Sequence, residues 1–368
     1  MGLEKLLNKK KLIVVCGQGG VGKTTLAAAL GLKAARLGKK VVVITVDPAK
    51  RLADTLGLKI PCPEPKLVWK GKGQGPAMPG REANSESLRS KTGSLHACLL
   101  DAKHTFDHLI KQHASKNLQE TILNNTLYQQ LSLMLAGTQE YMAMEKLYDL
   151  SSKNQFDLVI VDTPPARHAI DFLKAPMRLM KLLKESVLRW LIAPSLKLGF
   201  LGSKMLGALS QLTGSGIMED IAQLMQISLG LLDGFTARAE VIQNRLMGKE
   251  CAFVLVVSAM QATMSDALSF RQEMDRLGFL LEGVLVNRVP YFFDREKKVK
   301  KYLESVQKQK EPFWQSLAKW LEGQQHLNSQ LQLKMNTLLS EMPHASFIPD
   351  VFDDIADLED LEKISSHL

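Results

Sequence analysis

At 368 residues the chain is long enough to bury one large core, or one domain that carries a sizeable insertion. A net charge of +9 is compatible with a nucleic-acid partner, but the basic clusters contain no interleaved aromatic residues, so we expect no nucleic-acid binding. The four cysteines are scattered without a C-x-x-C pair, which argues against a disulfide framework and against a zinc site.

The sequence shows little sign of secretion or of insertion into a membrane. The N-terminal residues lack the apolar stretch of a secretory signal peptide. In the most apolar part of the chain, Ala175–Leu246, no uncharged run reaches the roughly 18 residues that a transmembrane helix needs. We therefore expect a cytoplasmic protein, with peripheral attachment to a membrane as an open alternative.

Short apolar runs that alternate with helical stretches predict an α/β protein with a doubly wound, mostly parallel sheet. The predicted strands are Leu12–Cys16, Val41–Val46, Leu95–Leu100, Leu158–Val161, Ala252–Val257, Gly283–Val286 and Ser346–Ile348. In such sheets ligands bind beyond the carboxyl ends of the strands, and the site is therefore expected there.

A phosphate-binding loop follows the first predicted strand. The residues from Gly17 to Thr24 fit the pattern G-x-x-x-x-G-K-[ST], and Thr25–Arg36 is predicted to form the helix that must follow. The glycines let backbone N–H groups turn towards phosphate oxygens, and the helix N-terminus adds partial positive charge. The predicted nucleotide-binding residues of this loop are Gly17, Gln18, Gly19, Gly20, Val21, Gly22, Lys23, Thr24 and Thr25.

Four side chains are predicted to carry the chemistry. Lys23 is expected to reach the β- and γ-phosphates, while the Thr24 hydroxyl binds Mg²⁺. Asp162 ends an apolar strand and is expected to hold Mg²⁺ or its water. Asp47 ends the second strand and is a candidate to orient the attacking water, although an Asp-Pro pair also forms turns. Lys23, Asp47 and Asp162 are thus the predicted catalytic residues.

The base is predicted to be adenine. Guanine recognition usually requires N-K-x-D, whereas the corresponding strand end here reads Val286-Asn-Arg-Val-Pro290 and lacks the aspartate. Asn287 is the candidate for the amino edge of adenine. The predicted cofactors are therefore ATP and Mg²⁺.

Three stretches interrupt the alternation of strands and helices. One of them, Ala175–Leu246, divides the predicted ATPase core into residues 1–174 and 247–368. Pro61–Gly93 is rich in Pro, Gly, Ser and Lys and predicts a mobile loop, at about residues 59–94. Tyr291–Met342 predicts surface helices packed on the core. Ala175–Leu246 is rich in Met and Leu at helical spacing. It is either a helical subdomain packed on itself or an apolar surface for a hydrophobic client.

Several of these motifs together resemble the arsenite-pump (ArsA-like) ATPases, a family that includes the ATPases targeting tail-anchored membrane proteins. The resemblance covers most of the chain and looks closest to a bacterial single-domain branch. The motifs that carry it are Gly17-Gln-Gly-Gly-Val-Gly-Lys-Thr-Thr25, Asp47-Pro-Ala, Ala136-Gly-Thr-Gln-Glu140, Asp162-Thr-Pro-Pro-Ala-Arg-His168, Asn287 and Pro349–Leu361.

The resemblance implies a nucleotide-bridged homodimer with one phosphate loop in each half. It implies that Asp47 lies in the first switch and activates water, while Asp162–His168 forms the second switch. Asn287 and the loop after Pro349 would frame the adenine. Ala175–Leu246 matches the place where targeting members hold the transmembrane helix of a client.

The chain departs from this family at three points. Gln18 stands where many relatives carry a lysine that reaches the partner's nucleotide, and Lys50, Arg51 or Arg167, with His168 as a further switch residue, is the candidate replacement. Leu135-Ala-Gly-Thr138 lacks the cysteine of pump members, so activation by arsenite is not expected. Without C-x-x-C, any dimer must form without zinc.

The sequence favours a dimeric ATPase whose open and closed states are coupled to a hydrophobic client, such as the helix of a membrane protein. A regulatory or partition-type ATPase switch is the alternative, although the acidic stretch Asp353–Asp360 differs from the basic helix that ends membrane-cycling relatives. A soluble ATPase subunit of an anion pump is the third possibility, and the missing thiols count against it.

Overall fold

The computed structural model describes residues 3–46, 53, 56–71, 92–113, 119, 120, 123, 139–165, 170, 172–175, 234, 236–259, 264–290, 296–308, 311–341, 345–350 and 357–368. The strands are β1 Leu12–Gly17, β2 Lys40–Thr45, β3 Lys66–Lys70, β4 Ser94–Leu99, β5 Leu158–Asp162, β6 Cys251–Ser258, β7 Leu281–Val289 and β8 Ala345–Pro349. The principal helices are α1 Leu3–Lys9, α2 Lys23–Arg36, α3 Ala102–His113, α4 Gln139–Ser152, α5 at 236–247, α6 Met264–Arg276, α7 Glu296–Val306, α8 Pro312–Glu341 and α9 Leu358–His367.

The eight strands form one sheet in the order β3-β4-β2-β5-β1-β6-β7-β8. All neighbours are parallel except β3 and β4, which are antiparallel. β1 lies near the middle of the sheet between β5 and β6, and all of its residues are buried. The predicted α/β fold and the seven predicted strands are therefore confirmed, and the phosphate loop leaves the carboxyl end of a central strand.

Helices cover both faces of the sheet. β1 shows the alternation, since Ile13 and Val15 pack with α1, α2 and α9, while Val14 and Cys16 pack with α4, α5, α6 and α8. Burial on both faces explains why the central strands are continuous apolar runs rather than alternating ones. The sheet thus fixes the position of each strand end, which is where the predicted site residues lie.

The edge strand β3 corrects one prediction. Pro61–Gly93 was expected to be a mobile loop, but Lys66–Lys70 pairs antiparallel with β4. Edge strands need only one paired side and often carry lysines that discourage pairing with other chains. Leu67 is accordingly half-exposed, and the apolar run of this strand is only three residues long, Leu67–Trp69, between two lysines. Residues 72–91 lie outside the described residues.

The predicted surface helices of Tyr291–Met342 are confirmed as α7 and the 30-residue α8. They pack on each other through a small cluster that includes Leu303 and Leu321, while Leu331 joins the main core. Among the described residues, no helix combines the length and the hydropathy that crossing a bilayer requires.

Candidate functional site

The phosphate loop turns tightly between β1 and α2. Gly20 and Gly22 adopt the left-handed backbone conformation, with φ of 77° and 91°, which side chains disfavour. The Leu26 N–H donates to the Gly22 carbonyl at 3.0 Å, so helical hydrogen bonding begins at the end of the loop. α2 starts at Lys23, two residues before the predicted Thr25. Gln18, Gly19 and Gly20 are exposed residues.

The ends of β6 and β7 pack closely against the loop. A Cβ atom on Gly17 would lie under 3.0 Å from the backbone oxygen of Val256, and one on Gly22 equally close to Nδ2 of Asn287. Real Cβ atoms do not approach other atoms so closely. Gly17 therefore requires glycine for reasons of space, because the atom it faces belongs to the backbone. A side chain at position 22 would displace the amide of Asn287, in addition to straining the backbone conformation.

The side chain of Lys23 folds back into the loop. Its side chain is buried, with the residue only 7% exposed, and Nζ donates to the Gln18 carbonyl at 2.8 Å. The ammonium group thus lies inside the turn of the loop, where a bound phosphate would compete with the carbonyl for it.

Asp162 joins the loop to the neighbouring strands. Its carboxylate is fully buried at the end of β5 and accepts hydrogen bonds on Oδ2 from the Thr24 hydroxyl at 2.7 Å and the Thr45 hydroxyl at 2.9 Å. The structure therefore brings the two predicted metal-binding residues, Thr24 and Asp162, into direct contact. Carboxylate and hydroxyl oxygens are the hard donors that Mg²⁺ prefers, so the residues present fit that ion.

Two threonines complete this network. Thr45 was not predicted as a site residue; it ends β2 and is paired in register with Asp162. Thr163 was expected only as a member of the second switch. Thr163 is fully buried, and its hydroxyl donates to the Val15 carbonyl at 2.8 Å, which ties the end of β5 to β1. Pro165 follows and lies near Gly19.

Asn287 reaches the loop from the other side. It is half-buried near the end of β7, and its Nδ2 donates to the Val21 carbonyl at 2.9 Å. Thr25, also half-buried, lies in the first turn of α2. The loop, Asp162 and Asn287 are therefore brought together at the carboxyl ends of the strands, as the strand order requires.

Five predicted site residues lie outside the described residues: Asp47, Lys50, Arg51, Arg167 and His168. The last described residue before Asp47 is Val46, whose N–H donates to the Asp162 carbonyl at 3.0 Å. The second described stretch continues beyond β5 as far as Pro165.

Comparison with known proteins assigns this chain to a family. The model of the ArsA family, described as anion-transporting ATPase, matches residues 10–332. The chain belongs to the anion-transporting ATPase family. Membership confirms the predicted resemblance, and with it the assignment of the chain as an ATPase that binds a nucleotide.

Proteins named ATPase get3 are relatives of this chain. The one from Aspergillus terreus is 25% identical over 330 residues, covering 84% of this chain and 86% of that protein. The one from Schizosaccharomyces japonicus is 26% identical over 321 residues, with 84% and 87% covered. The Schizosaccharomyces pombe protein is 24% identical over 322 residues, with 84% and 86% covered.

Proposed function

We propose that this ATPase acts as a homodimer whose nucleotide-driven opening and closing controls the binding of a hydrophobic client, such as the helix of a membrane protein. The observation that carries the proposal is the contact between Asp162 and Thr24, because it links the phosphate loop to the strand that leads into Ala175–Leu246. A change in ligand at the loop would thereby act on the end of β5, which precedes the client segment in the chain.

The chemistry is hydrolysis of ATP with Mg²⁺. The metal would be held by Thr24 and by Asp162, directly or through water, and would neutralise charge on the phosphates. Lys23 binds the β- and γ-phosphates once it leaves the Gln18 carbonyl. Asp47 orients the attacking water as a general base, and Asn287 faces the adenine. The burial of Asp162 keeps solvent water from screening these charges.

Both ends of the client segment are anchored in the same core. Phe172 and Leu173, which follow the second switch, are fully buried among residues of α4 and α6. On the far side of the segment, α5 packs Ile242 into the same cluster, and Arg238 Nε donates to Glu145 Oε2 of α4 at 2.6 Å in a buried ion pair. Phe172, Leu173 and Ile242 therefore pack on the same face of the sheet, whereas residues 176–233 lie outside the described residues.

A cation from Lys50, Arg51 or Arg167 is proposed to act on the nucleotide in place of the lysine that many relatives carry at position 18. Such charges contribute about 10³–10⁵ in rate to comparable phosphoryl transfers. Alanine at the responsible position should therefore lower single-turnover hydrolysis by a large factor, while the surface cation Lys11→Ala serves as control, since Lys11 pairs with Glu250 in solvent. Unchanged rates in all three single variants and in the triple variant would dismiss the idea.

Client binding is tested with a fluorescent peptide of one transmembrane helix. We expect its affinity for the ATPase to differ between ATP, ADP and no nucleotide, because a ligand shifts a conformational equilibrium only by binding its states unequally. The control is a scrambled peptide in which lysines are spread through the sequence, so that it offers no continuous apolar helix. Equal affinity in the three nucleotide states would contradict the proposal.

The anion-pump alternative is weakened by the state of the cysteines. Cys16, Cys62, Cys98 and Cys251 are free thiols, and all four are buried. Burial raises the pKa of Cys16 and of Cys98 to about 12, and it raises those of the other two as well. Arsenite requires thiolates, so these residues are poorly suited to hold it.

A further inference from the structure

The amide of Asn287 holds the phosphate loop itself. Nδ2 donates to the Val21 carbonyl at 2.9 Å, and the same nitrogen leaves no space for a Cβ atom on Gly22. Asn287 therefore contacts the peptide that joins these two residues, from its carbonyl side. Contact with the adenine base was the role expected from the sequence, and a contact with the loop is additional to it.

The strand that carries Asn287 is distorted at this point. Val286 pairs with Phe347 and Val289 pairs with Pro349, so β7 contains one residue more than β8 between the two pairs. Arg288 takes up the extra length in the left-handed conformation, with φ of 56°. On the other side the register is kept, since Asn287 pairs with Ser258 of β6. Such bulges turn a side chain away from its regular direction, and non-glycine residues adopt this conformation only at a cost.

The contact sets the direction of an N–H group. A trans peptide is planar, and its C=O and N–H bonds point in opposite directions. Because Asn287 holds the Val21 carbonyl towards β7, the Gly22 N–H points away from β7. Backbone N–H groups of a phosphate loop are the groups that bind phosphate oxygens. We propose that Asn287 is a positioning residue, which orients the Val21–Gly22 peptide for phosphate binding whatever base the ligand carries.

This inference rests on the proposed use of the loop for the phosphates of a nucleotide, yet the two roles of Asn287 are separable. The amino edge of adenine needs an acceptor, which is Oδ1, whereas the Val21 carbonyl needs a donor, which is Nδ2. A ligand that has phosphates and no base reports on the second role alone. Pyrophosphate is such a ligand.

The test is a calorimetric titration of wild type and Asn287→Leu, an apolar replacement of similar size, with pyrophosphate and with ADP, each in Mg²⁺. Loss of one hydrogen bond costs about 0.5–1.5 kcal/mol of binding free energy, which corresponds to an affinity about 2- to 12-fold weaker. We expect pyrophosphate to lose affinity by this factor, and ADP to lose at least as much, because ADP also loses the contact between adenine and Oδ1. Unchanged affinity for pyrophosphate, with or without a loss for ADP, would overturn the inference.

A second pair of variants tests the bulge without touching Asn287. Arg288→Val places a β-branched residue at a positive φ and is expected to weaken pyrophosphate binding, whereas Arg288→Gly fits that conformation and should bind more tightly than Arg288→Val. Equal binding by the two would count against the bulge as the device that holds Asn287. Failure of the wild-type chain to bind pyrophosphate and ADP would instead overturn the role of the loop, and this inference with it.

Discussion

Asp162→Asn is expected to reduce the rate of ATP hydrolysis by about 100- to 1,000-fold while leaving the protein folded. The carboxylate is fully buried and accepts hydrogen bonds from Thr24 and Thr45. An asparagine oxygen can accept the same bonds, so the packing is kept, but the negative charge that attracts Mg²⁺ is lost. Metal-ion stabilisation of a transition state is worth several kcal/mol, and each 1.36 kcal/mol is tenfold in rate.

The measurement is the turnover number as a function of Mg²⁺ concentration, together with ADP affinity in the absence of metal. ADP affinity without metal should be retained in Asp162→Asn. Thr45→Val is the matched variant, since it removes one hydrogen bond to the carboxylate and keeps the charge, and it should cost only about tenfold. A turnover number of Asp162→Asn within threefold of wild type, at saturating Mg²⁺, would show that this carboxylate does not serve the reaction.

Gly17→Ala is expected to lower the free energy of unfolding by about 3 kcal/mol or more and to abolish nucleotide binding. The new methyl group would lie under 3.0 Å from the Val256 carbonyl oxygen of β6. That oxygen belongs to the backbone of a buried strand beside β1, so it cannot move aside as a flexible side chain would. The loop or the strand must shift instead.

Gly20→Ala separates crowding from backbone strain. Gly20 also adopts a positive φ, of 77°, but a Cβ atom there meets no atom within 4 Å. Alanine at this position should therefore cost only the conformational term of about 1–2 kcal/mol. Urea denaturation of the two variants gives the comparison, and equal destabilisation by the two would contradict the close packing of Gly17 on β6.

Much of the site follows from local patterns in the sequence. The loop is recognisable because its glycines, Lys23 and Thr24 must occur at fixed spacing around a phosphate, and the central strands because burial on both faces makes them continuously apolar. The order of the strands, which the structure provides, then places Asp162 beside Thr24. The fold class and the family could be predicted for the same reason.

What the sequence did not predict depends on pairing between distant segments. β3 is stabilised by one neighbour, and its apolar run of three residues is flanked by lysines. Thr45 matters because the register of β2 and β5 sets it opposite Asp162. The contact between Asn287 and Val21 requires a bulge that is visible only when β7 and β8 are aligned. A single sequence contains no local signal for any of these.

The central claim is that ATP closes a dimer that holds a hydrophobic client, and the most direct measurement is the mass of the complex. Light scattering after size exclusion would be performed on the wild-type chain with a transmembrane-helix peptide and Mg²⁺, in ATP (as a non-hydrolysable analogue) and in ADP. The account predicts a peptide-bound dimer in ATP and loss of the peptide in ADP. One mass and one peptide occupancy in both nucleotides would contradict it.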